Sequence, residues 1–252
     1  MNAAWRALAD EIALWRDAGL AAEFWWRDDD AARPAAALAR LLGLAAHTSV
    51  PLALAVVPVG ADHDLLARLG EPVSVLQHGT DHLNRALARE KKTEFPASEP
   101  PAAALARLAT ARKQLEAQAG SRFIPVLAPP WNRLPEPLVP QLAAAGFRGL
   151  SQYGARTSSE AGGLRRVNTH VDIVAWQSGR GFVGEAEALA AARRHLAAKR
   201  TGAADRHEAT GWLTHHAVHD PAAWAFLERL FETTLKMPGV RWLGAPELFR
   251  IS

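Results

Sequence analysis

Strand-like and helix-like segments alternate along this chain, which predicts an α/β fold built from parallel strand–helix–strand units. Three observations carry that expectation. Apolar residues recur every three to four positions in some stretches and form short continuous runs in others, so the period switches repeatedly. Pro51-Leu-Ala-Leu-Ala-Val-Val57 is apolar throughout, as a strand covered on both faces must be. About seven such units fit into 252 residues, which favours a barrel over an open sheet.

Each element follows from its pattern. Residues 3–18 carry Trp5, Leu8, Ile12 and Trp15 on one face, an amphipathic N-terminal helix expected within residues 1–20 to pack on the barrel. Glu23–Arg27 reads as a strand ending in three aspartates. Arg33–Ala46 is a helix with Pro34 in its first turn, and Pro51–Val57 is the buried strand. Ala61–Leu69 is helical and Val73–Gln77 a strand, followed by a helix over Pro101–Ala119 and a strand over Phe123–Leu127. Pro137–Ala145 is expected to be a helix closed by Gly146, with Phe147–Leu150 the next strand. Glu185–Lys199 and Pro221–Leu235 are helices on either side of the strand Thr210–Thr214, and Val240–Leu243 is a last short strand. No repeat or Gly/Ser linker divides the chain, so one domain over residues 1–252 is expected.

Composition narrows the function classes. The net charge of +3 is spread without a long basic run, which argues against nucleic-acid binding. There are no cysteines, which removes disulfides, thiolate metal sites and Cys nucleophiles. The first ten residues contain charges where a signal peptide needs an apolar core, and no uncharged stretch reaches the roughly 18 residues of a membrane span. A cytoplasmic protein with no membrane partner is the expectation; the oligomeric state is open.

In such barrels chemistry sits where strands end, and the polar clusters fall there. Asp28-Asp29-Asp30 ends the first strand; three adjacent carboxylates either serve as helix-start acids ahead of Pro34 or face a cation. Gln77-His78-Gly79-Thr80-Asp81-His82 ends the third, with His78 and His82 at i and i+4, one turn apart on a helical face. One Asp and two His make three protein ligands with positions open for water and substrate. Ala128-Pro129-Pro130-Trp131 is either a stiff turn or a rigid presenter of the Trp131 N–H as an oxyanion donor. His170-Val-Asp172 with Trp176 supplies a polar pair and an aromatic wall. Leu213-Thr-His215-His216 closes the set, with His215 a candidate general acid and His216 and His219 read as surface or capping residues.

Taken in order, Asp29-Asp30, His78-Gly-Thr-Asp-His82, Ala128-Pro-Pro130-Trp131, Asp172-Ile-Val-Ala175-Trp176 and Leu213-Thr-His215 resemble the motifs of the polysaccharide deacetylase (NodB-homology, carbohydrate esterase family 4) family, as a divergent member. The resemblance runs from about residue 24 to the C-terminus and implies a distorted seven-stranded (β/α) barrel. It implies a metal-dependent hydrolase that removes N-acetyl groups from an acetylated amino sugar or small saccharide. Asp30, His78 and His82 would hold a divalent ion, Zn²⁺ first and Co²⁺, Ni²⁺ or Mn²⁺ as alternatives. Asp29 would be the base, His215 the acid and the Trp131 N–H an oxyanion donor. Trp176 and Leu213 would line the acetate pocket, with Asp172 and Pro130 also binding substrate.

The chain departs from the pattern at three places. The family's Arg is Ala128, with Arg27 or Arg133 as substitutes; its second Asp is Ala175, leaving Asp172 or His170 to tune His215; and Gly79 replaces a hydroxyl residue. The acidic pair is either Asp28-Asp29 or Asp29-Asp30, and Ala31, in place of the usual Gly, favours the latter. Hydrolysis of a cyclic amide and saccharide binding without turnover are the competing readings.

Overall fold

The computed structural model describes residues 2–251. Its ten strands form one curled sheet in the order β6-β7-β5-β4-β3-β2-β1-β9-β8, with β10 also paired to β1. The strands are β1 (Ala22–Ala31), β2 (Leu52–Val56), β3 (Val73–Gln77), β4 (Phe123–Leu127), β5 (Gly149–Leu150), β6 (Glu160–Ala161), β7 (Leu164–Arg166), β8 (Val171–Asp172), β9 (Thr210–Thr214) and β10 (Val240–Trp242). All pairings are parallel except β6–β7.

The two ends of that order belong to one run of chain. Residues 164–172 bond to β5 through β7 and to β9 through β8. Between those pairings, Thr169 N donates to Gln152 O at 2.9 Å and His170 N to Gly211 O at 2.7 Å. The result is a distorted seven-membered barrel of β1, β2, β3, β4, β5, residues 164–172 and β9. The expected number of strands is right, but its membership needs one correction. Val240–Trp242 is not a ring member; it pairs only with Ala22–Phe24 at the start of β1, and the polar run 164–172 takes the seventh place.

Helices α1 (Ala3–Asp17), α2 (Ala36–Thr48), α3 (His63–Ala67), α4 (Pro101–Ala119), α5 (Glu185–Thr201), α6 (Pro221–Thr234) and α7 (Ala245–Phe249) cover the outside or close the lower end. Alternation along β1 sorts its side chains. Phe24 and Trp26 join the outer core under the helices, while Trp25 joins Ala53, Ala55, Leu76 and Val126 inside the barrel. The N-terminal helix packs on α5, with Lys199 over the Trp15 ring and Arg200 paired to Glu11 at 2.8 Å. The helix expected over Pro137–Ala145 is instead a 3₁₀ segment, Glu136–Gln141, because Pro140 lies inside it and cannot donate to an α-helical ladder. No helix among the described residues is long and apolar enough to cross a membrane.

Candidate active site at the mouth of the barrel

The three aspartates lie within β1 rather than after it. Regular alternation would send Asp28 and Asp30 outward and Asp29 inward. A bulge breaks the pattern: Asp29, Asp30 and Ala31 run against only Ala55 and Val56 of β2, and Asp30 takes a left-handed φ of 73°. Asp29 and Asp30 therefore both line the cavity at the C-terminal mouth. Asp28 stays outside, where its carboxylate accepts from the Thr214 hydroxyl at 2.7 Å and the His216 N–H at 3.0 Å, with the His216 ring against its other oxygen. His216 is thus a buried partner of Asp28, not a surface residue.

His78 and His82 do not share a helical face, and that expectation is corrected. The segment after β3 is an irregular loop with positive φ at Gly79 (61°) and His82 (56°). The loop still turns both rings onto Asp30, whose Oδ1 lies 3.1 Å from each Nε2. The His78 Nδ1 lies 2.9 Å from the Ala128 carbonyl oxygen, which can only accept, so Nδ1 carries a proton and Nε2 faces inward. Burial opposes charge on His78, but Asp29 and Asp30 outweigh it and raise its pKa. Burial likewise opposes charge on Asp30, but the two imidazoles overcome it and lower its pKa.

Glu94, which the sequence does not single out, holds that loop. It is fully buried and accepts the backbone N–H of Thr80 at 2.8 Å and of His82 at 3.1 Å. Its carboxylate fills the place a side chain at Gly79 would need: a Cβ there would stand 2.2 Å from Oε2 of Glu94 and 2.6 Å from the Pro130 ring. The absent hydroxyl at position 79 thus has a steric cause.

Arg27 supplies the positive charge that Ala128 cannot. Fully buried inside the barrel, it grips Asp29 with Nε–Oδ1 at 2.8 Å and Nη2–Oδ2 at 3.0 Å. Its remaining donors reach the Ser151 carbonyl and hydroxyl and the Asn132 side chain. Arg133 points elsewhere, to the Lys92 carbonyl at 2.7 Å.

His215 follows β9 with Nε2 at 4.0 Å from Asp29 Oδ2 and its ring edge-on to Trp176 at 4.7 Å. Its Nδ1 is buried with no hydrogen-bond partner among the described residues. Asp172 does not bond to it; its oxygens take Val174 N at 2.9 Å and Trp176 Nε1 at 2.8 Å, and burial raises its pKa. Trp131 lies against His82 at 4.5 Å with φ of 55°, and the turn's own bonds, from Asn132 and Arg133, bypass its N–H. Trp131, Asp172 and Trp176 line the cavity, whereas Leu213 and Pro130 do not: Leu213 is buried beneath it and Pro130 packs on Gly79.

His170 lies at the other end of β9 with His195 and Glu208, a second group whose ligand atoms cluster. Its rings stack face to face, with centroids 3.5 Å apart and planes 16° from parallel. Imidazole lone pairs lie in the ring plane, so two nearly parallel rings cannot both aim at one ion. The His78 and His82 rings also overlap, but they stand farther apart, with centroids 5.2 Å apart and planes 30° from parallel, and both Nε2 atoms turn toward Asp30.

No family model matches the chain, and no curated protein does. Solved structures share its fold. A Streptococcus mutans CE4 esterase superposes with a TM-score of 0.59 at 13% identity, covering 94% of this chain and 90% of its own. The Bc1960 peptidoglycan N-acetylglucosamine deacetylase gives 0.58 at 17% identity, covering 92% and 90%. PuuE allantoinase gives 0.63 at 15% identity, covering 91% and 90%. The likeness anticipated from the motifs therefore holds for the barrel as a whole.

Proposed function

We propose that this chain is a metal-dependent N-deacetylase of the polysaccharide deacetylase family, releasing acetate from an acetylated amino sugar or small saccharide. The observation that carries this reading is the convergence of Asp30, His78 and His82 beside a carboxylate, Asp29, and an imidazole, His215, that stand 4.0 Å apart. The donor set fits a Zn²⁺-type ion: two imidazole nitrogens, one carboxylate oxygen, and a buried Asp30 Oδ1 that no properly directed hydrogen bond satisfies.

A divalent ion bound there supplies Lewis-acid polarisation of the amide carbonyl and acidifies water. The side chains divide the proton work. Asp29, oriented by Arg27, accepts the proton of the attacking water. As the C–N bond breaks, His215 donates a proton to the departing nitrogen, giving a free amine and acetate. The Trp131 N–H contributes a donor for the carbonyl oxygen, and Trp176 and Asp172 form the wall that holds the sugar.

The test is acetate release from N-acetylglucosamine and its short oligomers, before and after chelation and after Zn²⁺ is restored. Activity should vanish on chelation and return with the ion, and Asp29→Asn or His78→Ala should lower kcat/KM by about 10²–10⁴. Undiminished release by metal-free protein, or by Asp29→Asn, would overturn the reading, as would ring opening of cyclic amides without acetate release.

A further inference from the structure

We propose that the cavity takes an acetylated saccharide bearing an oxyanion, a carboxylate or a phosphate, remote from its acetamido group; the acetamido part rests on the deacetylase reading. The cavity measures 1140 Å³, more than the roughly 300–1,000 Å³ of an ordinary small-molecule pocket, so its outer region has room for such a group.

Its carboxylates are already answered. Asp29 is held by Arg27, Asp30 faces two imidazoles, Asp172 takes two N–H donors, and Glu187 pairs with Arg194 at 2.7 Å. Its other cations are not. Lys92, Arg133 and Arg180 line the same cavity from three separate loops, and none forms an ion pair among the described residues.

Two features fix the loops from which these exposed side chains reach. Arg133 donates to the Lys92 carbonyl at 2.7 Å, which ties the two loops together at the rim of the cavity. The other four N–H donors of the Arg133 guanidinium have no partner among the described residues. Arg180 sits in a turn pinned by Ala175 N to Gly181 O at 2.9 Å and Arg180 N to Ala175 O at 3.0 Å. Trp176, which packs on His215, belongs to the same turn. Same-sign charges around a concave site concentrate an anionic ligand, and guanidinium forks match carboxylate and phosphate oxygens.

The experiment measures binding by calorimetry and acetate release separately, with N-acetylglucosamine as the neutral sugar. N-acetylglucosamine 6-phosphate and N-acetylmuramic acid are the phosphate and carboxylate probes. At least one anionic sugar should bind about tenfold or more tighter than the neutral one, with the ratio shrinking as salt rises toward about 0.3 M. Arg180→Gln, and Lys92→Gln with Arg133→Gln, should each reduce that ratio about fivefold or more. Equal binding of all three sugars, or a preference that survives both salt and the substitutions, overturns the inference. The two readings separate cleanly. Selective anion binding without acetate release retains the oxyanion site and removes the deacetylase; equal acetate release from all three sugars with equal binding does the reverse.

Discussion

The Arg27 guanidinium meets the Asp29 carboxylate through two parallel hydrogen bonds, 2.8 and 3.0 Å long, although the residues stand only two apart on one strand. Both point inward because a strand returns to the same face every second residue. Arg27→Met should leave Asp29 as a buried unpaired charge, costing about 3–5 kcal/mol and most of the activity. Arg27→Lys keeps a charge but not the fork, so it should fold better than Arg27→Met and still lose rate. Urea unfolding and acetate release on both variants check this.

Asp28 and Asp29 should separate under substitution. Asp28→Asn disturbs acceptors used by Thr214 and His216 outside the barrel, so it should cost about 1–3 kcal/mol of stability with a small change in rate. Asp29→Asn should lower kcat by about 10²-fold or more. A rate collapse in the Asp28 variant alone would show that the acidic pair is read one residue out of register.

Gly79 and Glu94 form a steric lock on the loop carrying both histidines. Gly79→Ala adds a Cβ at a φ of 61° and 2.2 Å from the Glu94 carboxylate, which should destabilise the fold by about 2–4 kcal/mol. Glu94→Gln keeps one acceptor and should cost about 1–2 kcal/mol while weakening Zn²⁺ binding. Thermal unfolding with and without Zn²⁺ measures both effects.

Acid should unfold the protein early through the lower histidine pair. Burial, then the neighbouring His170 and Lys199, push the His195 pKa down to about 2. The unfolded chain takes up its proton near 6.5 while the folded one does not, so stability is full above that value and falls as pH drops below it. The slope is about 1.4 kcal/mol per pH unit for one such proton. Urea midpoints at descending pH should show it, and His195→Phe should flatten it.

Elements with strong local patterns were legible in the sequence. The apolar runs of β2, β3 and β4, the Pro101 start of α4 and the clusters at strand ends needed no tertiary information. The closing strand was not legible, because Leu164-Arg-Arg-Val-Asn-Thr-His-Val-Asp172 is mostly polar and alternates weakly. Its place depends on bonding to neighbours on both sides. Likewise, nothing in the order of residues ties Glu94 to His82 twelve positions earlier, and the i, i+4 spacing of the histidines suggested a helix that Gly79 and a left-handed His82 replace. Arg27 as the partner of Asp29 was one of two candidates, and period-two geometry decides for it.

The two sides of the cavity are anchored to the sheet very unequally. Asp29, Asp30 and the loop of His78 and His82 are rooted in β1, β2 and β3, which are ten, five and five residues long, with β2 paired to both of the others. Tyr153, Asp172 and Trp176 hang from β5 and β8, two residues each, where the ring is fastened by only a few main-chain bonds around Thr169. Ligands of different girth should therefore be accommodated by give at that clasp, while Asp29, Asp30, His78 and His82 keep their spacing.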